Sequence, residues 1–252
     1  MDRLKEKVCL ITGGNSGVGE KTAALFAKEG AKVVITARRE QALQEVAAAI
    51  TAEGGEIFPV VGDIAKDAEN IVAKTLEKYG QIDVLINNAG VLDSGLKAID
   101  NYSDEDLELV LDTNTKGTMA ITRAVATQMA KTNHGSIVTV ASVAGAMGNG
   151  GAAYVASKAA LIGLSRHTAL RFAGTNVRSN AICPGTIVTP MVADMNPENL
   201  DMAIFGQMMK HNDLKVQPSM PEDVANILLF FASDDSRSIT GQTIICDFGS
   251  TL

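Results

Sequence analysis

The chain has 252 residues, 46 % of them hydrophobic, and a formal charge of −7, with a pI near 5.0. That length and apolar share suit one α/β domain over residues 1–252 with a sizeable core. No basic run exceeds Arg38-Arg39, which argues against a nucleic-acid or anionic-membrane partner and for a small molecule.

Residues 1–7 run straight into an apolar strand, so no secretory signal is expected, and no stretch approaches membrane-spanning length. Cys9, Cys183 and Cys246 are odd in number, far apart and set in apolar runs. They read as buried free thiols in a reducing, cytoplasmic compartment. His134, His167 and His211 share no ligand spacing, so no metal is expected.

Short apolar runs alternate with helical patterns along the whole chain, the mark of a parallel sheet with crossover helices. The expected strands are Val8 to Thr12, Lys32 to Thr36, Ile57 to Val61, Val84 to Asn87, Ile137 to Ala141, Val177 to Cys183 and Thr243 to Cys246. The fold class is therefore a doubly wound, Rossmann-type α/β sheet of seven parallel strands with helices on both faces.

At the end of the first strand, Gly13, Gly17 and Gly19 lead into a helix expected to start near Val18, with Asn15 and Ser16 between them. Glycines at a first βα junction let backbone N–H groups and a helix N-terminus approach a pyrophosphate, so this turn predicts a dinucleotide. The second strand ends at Thr36-Ala37-Arg38-Arg39, where an NAD-preferring site usually carries an acid for the ribose 2′-hydroxyl. Ala37 removes that carboxylate, and Arg38 and Arg39 offer cations to a 2′-phosphate, so NADP(H) is expected over NAD(H). Farther on, Ser103 followed by Asp104, Glu105 and Asp106 reads as a capped helix start.

Tyr154 and Lys158 are four residues apart and follow Ser142. Positions i and i+4 share a helix face, so the ammonium is expected beside the phenol, favouring its ionised form. A phenol ordinarily titrates near about pH 10 and could then exchange protons with an alcohol or ketone. The last break in the rhythm is the stretch between Pro190 and Pro221, about 30 residues holding Met191, Met195, Met202, Met208, Met209 and Met220. Excursions of that length in compact domains are often lids, here placed at about 190–220.

Taken in order, these motifs resemble the classical short-chain dehydrogenase/reductase family, and the resemblance covers essentially the whole chain. Asn87-Asn88-Ala89-Gly90 matches a second family signature, which supports the central sheet and the adenosine side. The resemblance implies cofactor contacts from Gly13, Asn15, Ser16, Gly17, Val18, Gly19, Arg38, Arg39, Asp63, Ile64, Asn88, Ala89 and Gly90. It adds Pro184, Gly185, Thr186, Ile187 and Thr189 beside the nicotinamide, and places Asp63 near the adenine. It implies hydride transfer between the nicotinamide and a secondary alcohol or ketone. Tyr154 would be the acid or base, Lys158 the ribose anchor, Ser142 the hydrogen-bond partner of the substrate oxygen, and Asn114 the support of a proton path. A homotetramer is also implied.

Three departures stand out. Ser142 and Tyr154 are twelve residues apart, one fewer than is common in the family, which shortens the loop Gly148-Asn149-Gly150-Gly151. Asp247-Phe248-Gly249 replaces the usual Asp-Gly-Gly, and Ser179 stands where an apolar residue is usual. The methionines of the lid and Met147 point to a bulky apolar substrate such as a hydroxysteroid or bile acid. The alternative is a 3-oxoacyl carrier-protein reductase, which Ala146 to Gly151 also resembles, although Asn133 and Thr175 stand where such an enzyme would carry arginines. A cofactor-binding sensor or scaffold is the non-enzymatic reading.

Overall fold

In a computed structural model, which describes residues 2–213 and 215–252, the strands lie at Val8–Thr12 (β1), Lys32–Ala37 (β2), Glu56–Val61 (β3), Val84–Asn87 (β4), Gly135–Val140 (β5), Val177–Pro184 (β6) and Thr243–Cys246 (β7). Leu214, inside the expected lid, lies outside the described residues. All seven strands are paired in parallel, in the order β3-β2-β1-β4-β5-β6-β7. The expected strand positions agree to within two residues. The largest shift is β5, which begins at Gly135 rather than Ile137 because Gly135 and Ser136 are already in register with Val177 and Arg178 of β6.

The helices are α1 (Gly17–Lys28), α2 (Glu40–Ala52), α3 (Ala68–Tyr79), α4 (Asp104–Val110), α5 (Thr118–Thr132), α6 (Val143–Met147), α7 (Ala152–Arg171), α8 (Pro190–Ala193), α9 (Met202–Met208) and α10 (Pro221–Ala232). Side chains alternate across a strand, and β1 shows the result. Its Cys9 and Ile11 join Phe26 of α1, Leu43 of α2 and Leu228 of α10 in one core layer. Its Val8 and Leu10 join Ile71 of α3 and Ile121, Val125 and Met129 of α5 in the other. A strand buried on both faces is apolar at every position, as Val-Cys-Leu-Ile is.

The strand order places β4 beside β1, so the chain runs outward in opposite directions on either side of that pair. A crevice opens at the carboxyl ends of strands at such a switch point. Thr12 closes the base of this one: its Oγ1 accepts from the backbone N–H of Asn88 and of Ala89, each at 3.0 Å. Asn88 Nδ2 donates to the Thr12 carbonyl at 3.0 Å and to that of Gly13 at 3.2 Å. The Asn-Asn-Ala-Gly segment thus ties the end of β4 to the glycine turn.

Candidate active site

The glycine turn has the backbone that its composition predicts. Gly13 and Gly17 adopt φ of +67° and +54°, a region that costs residues with a Cβ. The helix starts at Gly17, one residue before the expected Val18. A Cβ on Gly19 would lie 2.7 Å from Asn88 Nδ2, so this third glycine is needed for close packing under the turn rather than for room above it.

A cleft of about 610 Å³ runs over the carboxyl ends of the strands. From the expected cofactor set, Gly13, Asn15, Ser16, Gly17, Val18, Arg38, Arg39, Asp63, Ile64, Asn88, Ala89, Gly90, Pro184, Gly185, Ile187 and Thr189 line it, with Ser142, Tyr154 and Lys158. Gly19, Thr186 and Asn114 do not. Thr186 instead uses its carbonyl to accept from Ser219 N at 2.9 Å, fastening the far end of the lid. Arg38 and Arg39 are both exposed at the rim beyond Ala37. With the Asn15 amide oxygen turned toward it, Arg39 donates through Nη2 at 2.8 Å and Nε at 3.2 Å, which joins the second strand to the glycine turn.

Asn114 sits behind the cleft. Residues Leu111–Gly117 form a π-helical stretch between α4 and α5, and such turns often mark functional positions. The fully buried Asn114 uses Oδ1 to accept from Val91 N at 2.8 Å. Its Nδ2 donates to the Val91 carbonyl at 2.9 Å and to Ser157 Oγ at 3.0 Å. The side chain therefore clamps the loop after β4 to helix α7.

Tyr154 lies in the first turn of α7 and Lys158 one turn later. Ser142 caps α6 by accepting from Ala144 N at 3.1 Å. Lys158 is buried, donates to the Val140 carbonyl at 2.9 Å, and has Nζ 5.6 Å from the Tyr154 ring centroid. This corrects the expected electrostatics. Burial pushes the Tyr154 phenol up to about 12, with a hydrogen bond to the Ser142 side chain acting downward and the charge of Asp93 acting upward. Burial also lowers Lys158 to about 8. The ammonium faces the ring and a carbonyl, so the i,i+4 spacing alone does not acidify the phenol.

Sequence reasoning missed the part of the cleft lined by Val91, Leu92, Asp93 and Ser94 after β4 and by Asp194 and Asn199 of the 190–220 segment. The available signal was position, since the loop follows directly on Gly90. Of the six lid methionines only Met191 and Met195 line the cleft, and Met147 does not line it. Met147 and Met202 are exposed. Asn133 and Thr175 precede β5 and β6, at the amino-terminal edge of the sheet and away from the cleft, so their lack of charge does not describe its mouth.

Residues 13–251 match a family profile described as enoyl-(acyl carrier protein) reductase. A 3-oxoacyl-(acyl-carrier-protein) reductase of Thermotoga maritima is 39 % identical over 99 % of this chain and 100 % of its own length. A 7alpha-hydroxysteroid dehydrogenase of Bacteroides fragilis is 34 % identical over 100 % of this chain and 97 % of its own. The crystal structure of a levodione reductase superposes with a TM-score of 0.90 at 31 % identity, covering 99 % of both chains. With the sheet order, the glycine turn and the Ser142, Tyr154 and Lys158 cluster, these likenesses make the chain a member of the classical short-chain dehydrogenase/reductase family, oxidoreductases that act on CH–OH and keto groups with a nicotinamide cofactor.

Proposed function

We propose that the 252 residues form one catalytic domain that interconverts a secondary alcohol and a ketone with NADP(H) in preference to NAD(H). The observation that carries the reading is the convergence of Ser142, Tyr154 and Lys158 on one cleft with the glycine turn. When bound, the nicotinamide accepts or supplies the hydride. Tyr154 exchanges the proton with the substrate oxygen, and the Ser142 hydroxyl steadies the charge that develops there. Lys158 binds the ribose hydroxyls, while Asn114 supports proton passage toward it. Ala37 leaves the 2′-position without a carboxylate, and the exposed Arg38 and Arg39 supply cations for a phosphate.

For substrate, Met191, Met195, Leu92 and Leu200 give the far end of the cleft an apolar, adaptable wall. That supports a bulky alicyclic alcohol or ketone of hydroxysteroid type, as does the printed name of the Bacteroides relative. The name of the Thermotoga relative gives equal support to a 3-oxoacyl carrier-protein thioester. The segment at about 190–220 acts as the lid in either case, and a cytoplasmic homotetramer completes the reading.

Tyr154→Phe decides between enzyme and cofactor-binding scaffold. Turnover should fall about 10²- to 10⁴-fold, with cofactor affinity near that of the parent because Lys158 still holds the ribose. Turnover within a few-fold of the parent would leave the scaffold reading. A panel of hydroxysteroids and 3-oxoacyl thioesters assayed with the parent enzyme separates the two substrate classes.

A further inference from the structure

We propose that Asp93 is a positioning residue for the reaction: its carboxylate seats the first turn of α7, which carries Tyr154, against the loop after β4. This rests on the reading of Tyr154 as the acid and base.

Asp93 lines the same cleft as Tyr154 and is 6 % exposed. Its Oδ2 accepts from Lys97 N at 2.7 Å, and the Lys97 carbonyl accepts from Ala152 N, the first residue of α7, at 2.8 Å. The carboxylate is pressed against Gly151, the residue that caps the helix. A Cβ there would lie 2.8 Å from Asp93 Oδ1 and 2.8 Å from Leu96 Cα, and closer still to Oδ2. Gly151 has φ −66° and ψ 148°, a conformation open to any residue, so what requires glycine there is the approach of Asp93 and its loop. Tyr154 is only three residues farther along the helix.

The same loop grips the lid. Lys97 Nζ donates to the Asn199 carbonyl at 2.8 Å, and Asn101 Nδ2 donates to Asp201 Oδ2 at 3.1 Å. The ammonium of Lys97 is thereby turned to the lid, and no cation pairs with Asp93 among the described residues. Asp93 Oδ1 is buried without a hydrogen-bond partner. Burial raises the Asp93 carboxyl above the usual carboxylate range, against backbone hydrogen bonds that lower it, the Lys97 N–H first among them. Lys158 on α7 and the exposed Asp194 line the same cleft as the phenol, while Asp106 on α4 acts on Asp93 and Cys183 on β6 acts on Lys158. Asp106 is bound to Ser94, accepting from its N at 3.1 Å and its Oγ at 2.7 Å. The charge of Asp93 adds to the rise in Tyr154 proton affinity, after burial and against the Ser142 hydrogen bond.

Asp93→Asn keeps an acceptor for Lys97 N and removes the charge. The readout is kcat/KM for alcohol oxidation across about pH 7 to 12, with cofactor affinity and Tm from the same preparations. The limb governed by the phenol should move to lower pH, with cofactor affinity within about twofold of the parent. Gly151→Ala, whose methyl takes the space of the carboxylate, should move the limb the same way and also lower kcat. If the Asn variant binds cofactor like the parent but its limb stays put or moves up, the proposal falls. Should that variant fail to fold, the same limb in Gly151→Ala decides. A Tyr154→Phe enzyme that still turns over removes the acid–base reading itself, whereas an inactive Tyr154→Phe with an unmoved Asn-variant limb removes only Asp93.

Discussion

Lys158 is where binding and stability oppose one another. Its burial lowers its pKa from the ordinary 10.5 to about 8, so the folded state disfavours the charge that the ribose and phenol require. Below about pH 8 both folded and unfolded chains are protonated, and the folded protein bears the whole burial cost. From about 8 to 10.5 the unfolded chain holds more protons, so the contribution of this residue to stability rises with pH. The Tm of Lys158→Met relative to the parent should therefore be most favourable near neutral pH and decline as pH approaches 10.5. Calorimetry of both proteins without cofactor checks the sign. The same variant should lose both turnover and cofactor affinity.

In the proposed reading, cofactor choice rests on equally local groups. A hydrogen bond to a charged group contributes about 1.5 to 3 kcal/mol, so one arginine contact to a 2′-phosphate corresponds to roughly a ten- to hundredfold preference for NADP(H) in kcat/KM. Ala37→Asp and Arg38→Ala should each erode it when the two cofactors are compared on one substrate. A parent that prefers NAD(H) ends the assignment. Two unusual residues find local explanations in packing and backbone. Ser179 Oγ lies 3.2 Å from Ser165 Oγ in the buried seam between β6 and α7. Phe248, where the family has glycine, adopts φ +55° in a turn held by Asp247, a conformation that costs a side chain about 1 kcal/mol or more.

Among the elements, the segment at about 190–220 is built from short pieces capped by their own polar residues. Asp201 caps α9 by accepting from Ala203 N at 3.1 Å, and its other oxygen reaches the loop after β4 through Asn101. It is one residue serving two attachments. Asp201→Ala should cost the helix about 0.5 to 2 kcal/mol locally and release the lid from the loop. Hydrogen exchange should then quicken across residues 202–208, KM for substrate should rise, and exchange in the β1 and β4 strands should stay as in the parent. Unchanged exchange in 202–208 would mean that apolar contacts hold the lid instead. By contrast, Ser103 caps α4 as its sequence predicts, accepting from Asp106 N at 3.1 Å. A cap is readable because donor and acceptor are three residues apart.

For the whole molecule, α5 and α7 leave a shallow face where Met119, Ala120, Ala126, Leu164 and Phe172 lie among the basic Lys116, Arg123, His167 and Arg171. Met119 and Leu170 are exposed on these helices. Such a face suits pairing with a second copy, and light scattering at micromolar concentration should give a mass near that of four chains. A monomer there would end the tetramer assignment. No helix among the described residues is long and apolar enough to cross a membrane, in line with the sequence.

Strand identity, sheet class, the glycine turn and the i,i+4 spacing of Tyr154 and Lys158 were legible in the residues because each depends on short-range order, whereas Ser142, twelve residues before Tyr154, entered through the family resemblance. Alternating burial, positive φ and one helical turn all act over four residues or fewer. The part of the cleft lined by Asp93, Asp194 and Asn199 was not legible, since those residues come from segments about 100 residues apart that meet only when β4 and the 190–220 segment are brought together. Nor could spacing give the acidity of Tyr154. That depends on burial and on which atoms face the phenol, and the folded chain turns Lys158 to the Val140 carbonyl and brings Asp93 to the start of α7. Local patterns choose the elements and the chemistry they carry, whereas the charges around the reacting oxygen depend on long-range packing that no short window of sequence contains.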